Sequence, residues 1–173
     1  MNNSIHTQRL QLIPLDVQQP ELVLQDIESF EKTLNIVMIR SWMDDRVERA
    51  IRMKIEKMKV AEPSQHSWFT YWLIVIKEEN TGAGMLGFKG FPDRSGSTEI
   101  GYGIDAAYQG KGYMIEAVQA LIDWAFTYRF CQVITASEVE NPASRRLLER
   151  LGAKLVSASE HSTSWEIRNQ RGI

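Results

Sequence analysis

Apolar and polar positions along this chain alternate between two periods, one of strands and one of helices. RLQLIPL, from Arg9 to Leu15, alternates apolar and polar residues as a half-buried strand does. In QPELVLQDIESFEKTLN, Leu22, Val23, Ile27, Phe30 and Leu34 fall near three-and-four spacing, which predicts one helix. A second helix is predicted from about Asp44. Its Val47, Ile51, Ile55 and Met58 form one apolar stripe, with Glu48, Arg49, Arg52 and Glu56 off it. Asp44 and Asp45 suit the positive N-terminal end of that helix, and PSQH breaks it. SWFTYWLIVIK, rich in aromatic and β-branched residues, predicts a strand from Ser67 to Lys77. NTGAG and PDRSGS are turns that lead into MLGFKGF and TEIGYGI, an antiparallel meander. A helix running to about Tyr128 follows, then a strand opening at Cys131, CQVITASEV. In NPASRRLLERLGA, Asn141 is a good N-cap, Pro142 fits the first turn and Gly152 ends the helix. KLVSASE and SWEIR supply a last strand pair. The order β-α-α-β-β-β-α-β-α-β-β predicts an α/β fold, a mixed sheet with helices on its faces.

Length and composition narrow the function. A chain of 173 residues is most simply one domain, 1–173, with a real core. A formal net charge of −2 argues against a nucleic-acid partner held by bulk electrostatics. Cys131 is the single cysteine, so no intrachain disulfide forms, and three scattered histidines give no zinc cluster; no metal is expected. MNNSIHTQRLQL lacks the charged start and apolar core of a signal peptide, and no apolar run approaches a membrane span. The expectation is a cytoplasmic protein without a membrane partner, monomer or homodimer.

The densest chemistry lies in AAYQGKGYMIEA, Ala106 to Ala117. Gly110 and Gly112 stand between a strand and an apolar helix. Glycine lets backbone approach a ligand closely, and a helix N-terminus offers unpaired N–H groups and partial positive charge. Together they make an anion cradle suited to a pyrophosphate, or else a plain turn. The dinucleotide fingerprint fails, because Ile115 holds the place of its third glycine, and the P-loop fails because Lys111 precedes glycine rather than Ser or Thr.

Gln109-x-x-Gly112-x-Met114 resembles the Gln/Arg-x-x-Gly-x-Gly/Ala motif of the GNAT acyltransferases, which holds the pyrophosphate of acetyl-coenzyme A. EIGYGI resembles that family's splayed fourth strand, NPASRRLLERLGA its Asn-x-x-Ser helix, and TQRLQLIPL its opening strand. The likeness spans nearly the whole chain and is strongest to the branch containing the ribosomal-protein N-terminal acetyltransferases, the RimJ/RimL-like enzymes. It implies a GNAT fold, a mostly antiparallel twisted sheet splayed between its fourth and fifth strands. It also implies acetyl transfer from acetyl-coenzyme A to a primary amine, by direct attack in a ternary complex. The acceptor is either a peptide α-amine or a small molecule such as a polyamine, amino acid or drug. Three positions depart from the pattern: Met114 for Gly or Ala, Ala153 for the usual aromatic, and Leu148 where many members carry a catalytic tyrosine.

The resemblance assigns cofactor contacts to Ile104, Gln109, Gly110, Lys111, Gly112, Tyr113, Met114, Ile115, Asn141 and Ser144. A bulge near Gly101–Gly103 is expected to free a backbone N–H for the developing oxyanion, the alternative being plain bending. Glu99 shares a face with Gly101 and Gly103 and is the candidate base, or else a solvated carboxylate. Ser144 could hydrogen-bond the sulfur, or is a helix-turn residue, and Asn141 caps its helix with or without touching the cofactor. Trp42, Glu99 and Tyr102 are the expected acceptor-side residues, with Phe30 to Trp68 walling the acceptor entrance. Trp68 and Trp72 fit core better than a pocket, His66 a surface, and Cys131 an inert buried thiol. Asp26, Glu28 and Glu31 could attract a cationic amine or form a solvated helix face. Two other functions stand beside the enzyme: a non-catalytic acyl-coenzyme A sensor, and a nucleotide-binding module of another fold.

Overall fold

A computed structural model describes residues 4–170. Met1 to Asn3, the start of the segment weighed above as a leader, lie outside the described residues, as do 171–173. Nine strands form one sheet: β1 (Ile5–His6), β2 (Leu10–Pro14), β3 (Val37–Met38), β4 (Trp72–Ile76), β5 (Thr81–Phe88), β6 (Ser97–Ile104), β7 (Val133–Glu138), β8 (Lys154–Ala158) and β9 (Thr163–Arg168). Their order is β1-β2-β4-β5-β6-β7-β9-β8, with β3 paired to β5. Pairing is antiparallel except for β6 with β7 and β3 with β5. The helices are α1 (Gln19–Gln25), α2 (Ile27–Leu34), α3 (Asp45–Val60), α4 (His66–Phe69), α5 (Tyr113–Ala125) and α6 (Pro142–Arg150).

Local chemistry explains most boundaries. The Asp44 side chain accepts from the N–H groups of Arg46 and Val47 and starts α3. Asn141 accepts from Ser144 N–H and starts α6, while Gly152 takes a left-handed φ of 73° after it. Four expectations are corrected. The first predicted helix is two, because Asp26 leaves helical geometry (φ −150°) and caps α2 through Ser29. The predicted strand from Ser67 begins only at Trp72, since His66–Phe69 form a helical turn that plugs Trp68 into the core. The strand expected from Cys131 begins at Val133, and the helix expected to reach Tyr128 ends at Ala125.

Two cores flank the sheet. On one face Ile51 and Ile55 of α3 pack with Phe30, Leu73, Val75 and Met85. On the other, α5 buries Ala117, Val118, Leu121, Ile122 and Ala125 against Trp72, Ile74, Leu86, Phe88 and Ile100. Trp68 anchors an aromatic group there, its ring centroid 4.9 Å from that of Trp124 and 5.0 Å from that of Phe88. Cys131 is fully buried, and burial pushes its thiol up to about 11, the inert form expected. No described helix is long and apolar enough to cross a membrane.

Candidate active site: a split strand and a glycine-capped helix

One strand serves two neighbours with different halves of its length. β6 pairs with β7 only over Ser97–Glu99, and with β5 over Ile100–Ile104. Beyond Glu99 the sheet therefore opens. The Glu99 carbonyl accepts from the N–H of Lys89, just past the end of β5, at 2.7 Å, so strand alternation turns the backbone groups of Tyr102 and Ile104 toward the opening. That is where an extended amide chain could add as a strand.

The expected bulge at Gly101–Gly103 is absent. β5 and β6 pair residue for residue from Phe88–Ile100 to Gly84–Ile104. The irregularity lies one strand away, where Ile74 faces Gly84 and Val75 faces Gly82, leaving Ala83 of β5 without a partner in β4. The two glycines instead keep one face clear: a Cβ at either would meet no heavy atom within 4 Å. That face is the α3 side, because Gly103 stands opposite Met85 and Gly101 opposite Gly87.

Side-chain alternation divides the expected acceptor residues between two faces. Glu99 shares the α3 face with Gly101 and Gly103, and its carboxylate pairs with the Lys89 ammonium at 2.6 Å. Tyr102 lies on the α5 face, packed like Ile104 and Met114 against the α5-side core, and its hydroxyl is 2.8 Å from the Ser144 hydroxyl of α6. Trp42, between α2 and α3, packs against the α3-side core, with its indole N–H buried and unpartnered among the described residues. Two of the acidic trio have structural partners: Asp26 caps α2, and Glu31 accepts from Met38 N–H and pairs with Arg40, while Glu28 is exposed in the first turn of α2.

The loop from β6 to α5 has the conformation its glycines predict. Gly110 and Gly112 adopt φ of 73° and 79°, and Gly112 is the N-cap of α5. A Cβ on Gly110 would meet nothing within 4 Å, so the backbone is approachable there. Having no side chain, Gly112 leaves the first-turn N–H groups of Tyr113, Met114 and Ile115 to whatever lies outside the helix. The Met114 side chain packs into the α5-side core, so its departure from the motif does not fill the cradle. Gln109 reaches back to the Ile104 carbonyl at 3.3 Å. Asp105 braces the loop's start, accepting from Ala107 N–H and from Ser41 Oγ at 2.5 Å. These residues fit a pyrophosphate: open backbone, positive φ and unpaired N–H groups coincide.

Glu138 ends β7 as a buried carboxylate. The Asn141 N–H and then the Thr163 hydroxyl hold its carboxyl below the ordinary range. Leu148, in the tyrosine position of the resemblance, is fully buried. A cavity of about 330 Å³ lined by Asp123, Leu151 and Arg168, among others, lies apart from this opening. Sequence reasoning missed Thr7, Arg9 and Glu116, which tie the N-terminal hairpin to the glycine loop. Glu116, in the first turn of α5, was the available signal: a carboxylate beside an anion cradle calls for a compensating cation.

An opened sheet with a glycine-capped helix beside the opening defines an acyltransferase class, and the comparisons agree. Residues 9–154 match the family described as Acetyltransferase (GNAT) domain, and the chain belongs to that family. It is 39% identical over 98 residues to the uncharacterized N-acetyltransferase YjdG of Bacillus subtilis (strain 168), covering 56% of this chain and 58% of YjdG, less than two thirds of that relative. It is 30% identical over 149 residues to the uncharacterized N-acetyltransferase p20 of Bacillus licheniformis, covering 86% of this chain and 80% of p20. Its fold resembles that of RimL, a ribosomal L7/L12 alpha-N-protein acetyltransferase, in complex with coenzyme A. That match has a TM-score of 0.66 and 18% identity, and covers 96% of this chain and 98% of RimL.

Proposed function

We propose that the chain transfers the acetyl group of acetyl-coenzyme A to a primary amine by direct attack in a ternary complex. The observation that carries this is the split of β6 at Glu99, which opens the sheet beside the glycine-capped N-terminus of α5. Backbone N–H groups from Gly110 to Ile115 would hold the pyrophosphate, with Gln109 and Lys111 flanking it. Ile104 and Tyr102 would pair with the pantetheine amides, and Asn141 and Ser144 would border the arm from α6. The bound thioester supplies an activated acyl carbon and a thiol leaving group of ordinary pKa about 8.5.

The chain's own residues then do three things. The two faces of β6 keep the reactants apart until they meet, which converts a bimolecular encounter into a positioned one. Glu99, on the cleared face with Gly101 and Gly103, accepts the amine proton directly or through water. Tyr102 and Ser144, on the other face, present hydroxyls to the leaving sulfur in place of the tyrosine that Leu148 replaces. The amine enters over Gly101 and Gly103 from the α3 side, past the segment bearing Trp42. A peptide α-amine is the first choice of acceptor, supported by the likeness to RimL, and a small-molecule amine is the other.

Leu148 in the core and Glu99 in an ion pair favour one second reading, a sensor that binds acyl-coenzyme A without turnover. Thiol release from acetyl-coenzyme A, followed across a panel of peptides and small amines, separates the two. Acceptor-dependent release supports the enzyme. Tight binding with no release for any amine supports the sensor and overturns acetyl transfer.

A further inference from the structure

Arg9 precedes β2, yet its side chain is built into the glycine loop more than a hundred residues away. Its Nη1 donates to the Lys111 carbonyl at 2.8 Å, and its Nε donates to Glu116 Oε2 at 2.7 Å. The other Glu116 oxygen accepts from Arg9 N–H at 2.9 Å and from the Thr7 hydroxyl at 2.6 Å. The guanidinium lies 4.5 Å from the centroid of the Tyr113 ring, and its Nη2 is 3.3 Å from where a Cβ on Gly112 would stand. One side chain thus touches or borders Lys111, Gly112, Tyr113 and Glu116.

This wiring answers a conflict in the sequence. A carboxylate in a helix's first turn stabilises the helix, but at α5 the same charge repels an anion seeking the N-terminal N–H groups. Burial pushes the Glu116 carboxyl up, yet its hydrogen bonds from Thr7 and Arg9 hold it low, so it is charged at neutral pH. Two arms of the guanidinium fork, Nε and Nη2, both close on Oε2 of that carboxylate at 2.7 Å and offset its charge, and the bond to the Lys111 carbonyl fixes the peptide entering Gly112.

We infer that Arg9 is a positioning residue for the cofactor pyrophosphate: it presets the Lys111–Gly112 peptide and neutralises Glu116, so that the α5 N-terminus faces the phosphates with net positive charge. This rests on the placement of coenzyme A proposed above. The phosphate chemistry of the guest is what recognises the arrangement.

Calorimetric titration of coenzyme A into the full chain tests it, using the unaltered protein, Arg9→Gln, Arg9→Lys, Glu116→Gln and the double variant Arg9→Gln/Glu116→Gln, with a melting temperature for each. Arg9→Gln should weaken coenzyme A about tenfold or more, because it leaves the Glu116 charge uncompensated at the cradle. The double variant should regain at least about threefold of that loss, since the repelling charge is gone. Arg9→Lys, which keeps the charge but not the fork, should fall between the unaltered protein and Arg9→Gln. A fold brace alone predicts otherwise: the double variant binds no tighter than Arg9→Gln, and affinity follows melting temperature across the series. That result, or an Arg9→Gln affinity within about twofold of the unaltered protein, overturns the inference. Should Arg9→Gln not fold, Arg9→Lys binding as tightly as the unaltered protein overturns it. If the unaltered chain itself does not bind coenzyme A, the functional reading fails and takes this inference with it. If it binds and the variants contradict the pattern, only this inference fails.

Discussion

The hydroxyls of Tyr102 and Ser144 meet at 2.8 Å and join β6 to α6 across the mouth of the opened sheet. Burial pushes the Tyr102 phenol up, the Ser144 bond pulls it down, and the charge of Glu138 pushes it up again; the net rise keeps it a proton donor at neutral pH. Tyr102→Phe should therefore lower turnover about tenfold or more while coenzyme A affinity stays within about threefold. Turnover is read as thiol release and affinity by calorimetry. Unchanged turnover would leave the hydroxyl pair a structural bridge only.

Gly112 sits at φ 79°, a conformation that costs other residues about 1–2 kcal/mol and β-branched ones more. Its Cβ would also come within 3.3 Å of Arg9 Nη2. Gly112→Val should abolish measurable coenzyme A binding and leave the circular dichroism spectrum of the folded protein. Calorimetric affinity equal to that of the unaltered chain would misplace the cradle.

Glu99→Gln should lower turnover by about 10²-fold and spare coenzyme A affinity. The ion pair it breaks, with a mostly exposed Lys89, is worth about 1 kcal/mol at most, so melting temperature is the control for structural damage. Turnover near normal from pH 6 to pH 9 would give Glu99 no part in proton transfer.

Lys54 carries a pH signature unrelated to catalysis. Its ammonium is buried between the Phe88 carbonyl, to which it donates, and the Tyr71 ring at 5.1 Å. Burial pushes it down to about 7, helped by the charges of Lys57 and Lys89. Between that value and the free-lysine value the unfolded chain binds more protons than the folded one, so stability rises with pH there. From pH 7 to pH 9 the slope should reach at most about 1.4 kcal/mol per pH unit, and Lys54→Met should remove it. Urea midpoints at pH 7, 8 and 9 for both proteins give the difference, which cancels contributions from Cys131. Parallel profiles would show that Lys54 stays charged when folded.

What was legible in the sequence was what short-range chemistry decides. The α3 stripe, the Asp44 and Asn141 caps and the glycine turn at Gly110–Gly112 each depend on residues a few positions apart. Asp26 obeys the same rule, as an Asx cap three residues before Ser29, but the apolar spacing running through it masked the break. The bulge was misplaced because glycines mark both strands: TGAG in β5 holds it, while the glycines of β6 clear a face instead. Arg9 and Glu116 lie 107 positions apart, and only the pairing of β2 into the sheet brings that strand beside α5.

The two cores also differ in when their parts are synthesised. The α3-side core draws its buried residues from Ile13 to Met85 and can close once the first half of the chain has left the ribosome. The opposite face of the same strands, with Trp72, Ile74, Leu86 and Phe88, waits for α5 and then for Ile134, Leu148 and Trp165. A half-made chain therefore carries a closed α3-side core on one side and a bare aromatic face on the other. A chain ended before α5 should therefore expose that apolar face to solvent and aggregate more readily than the full chain.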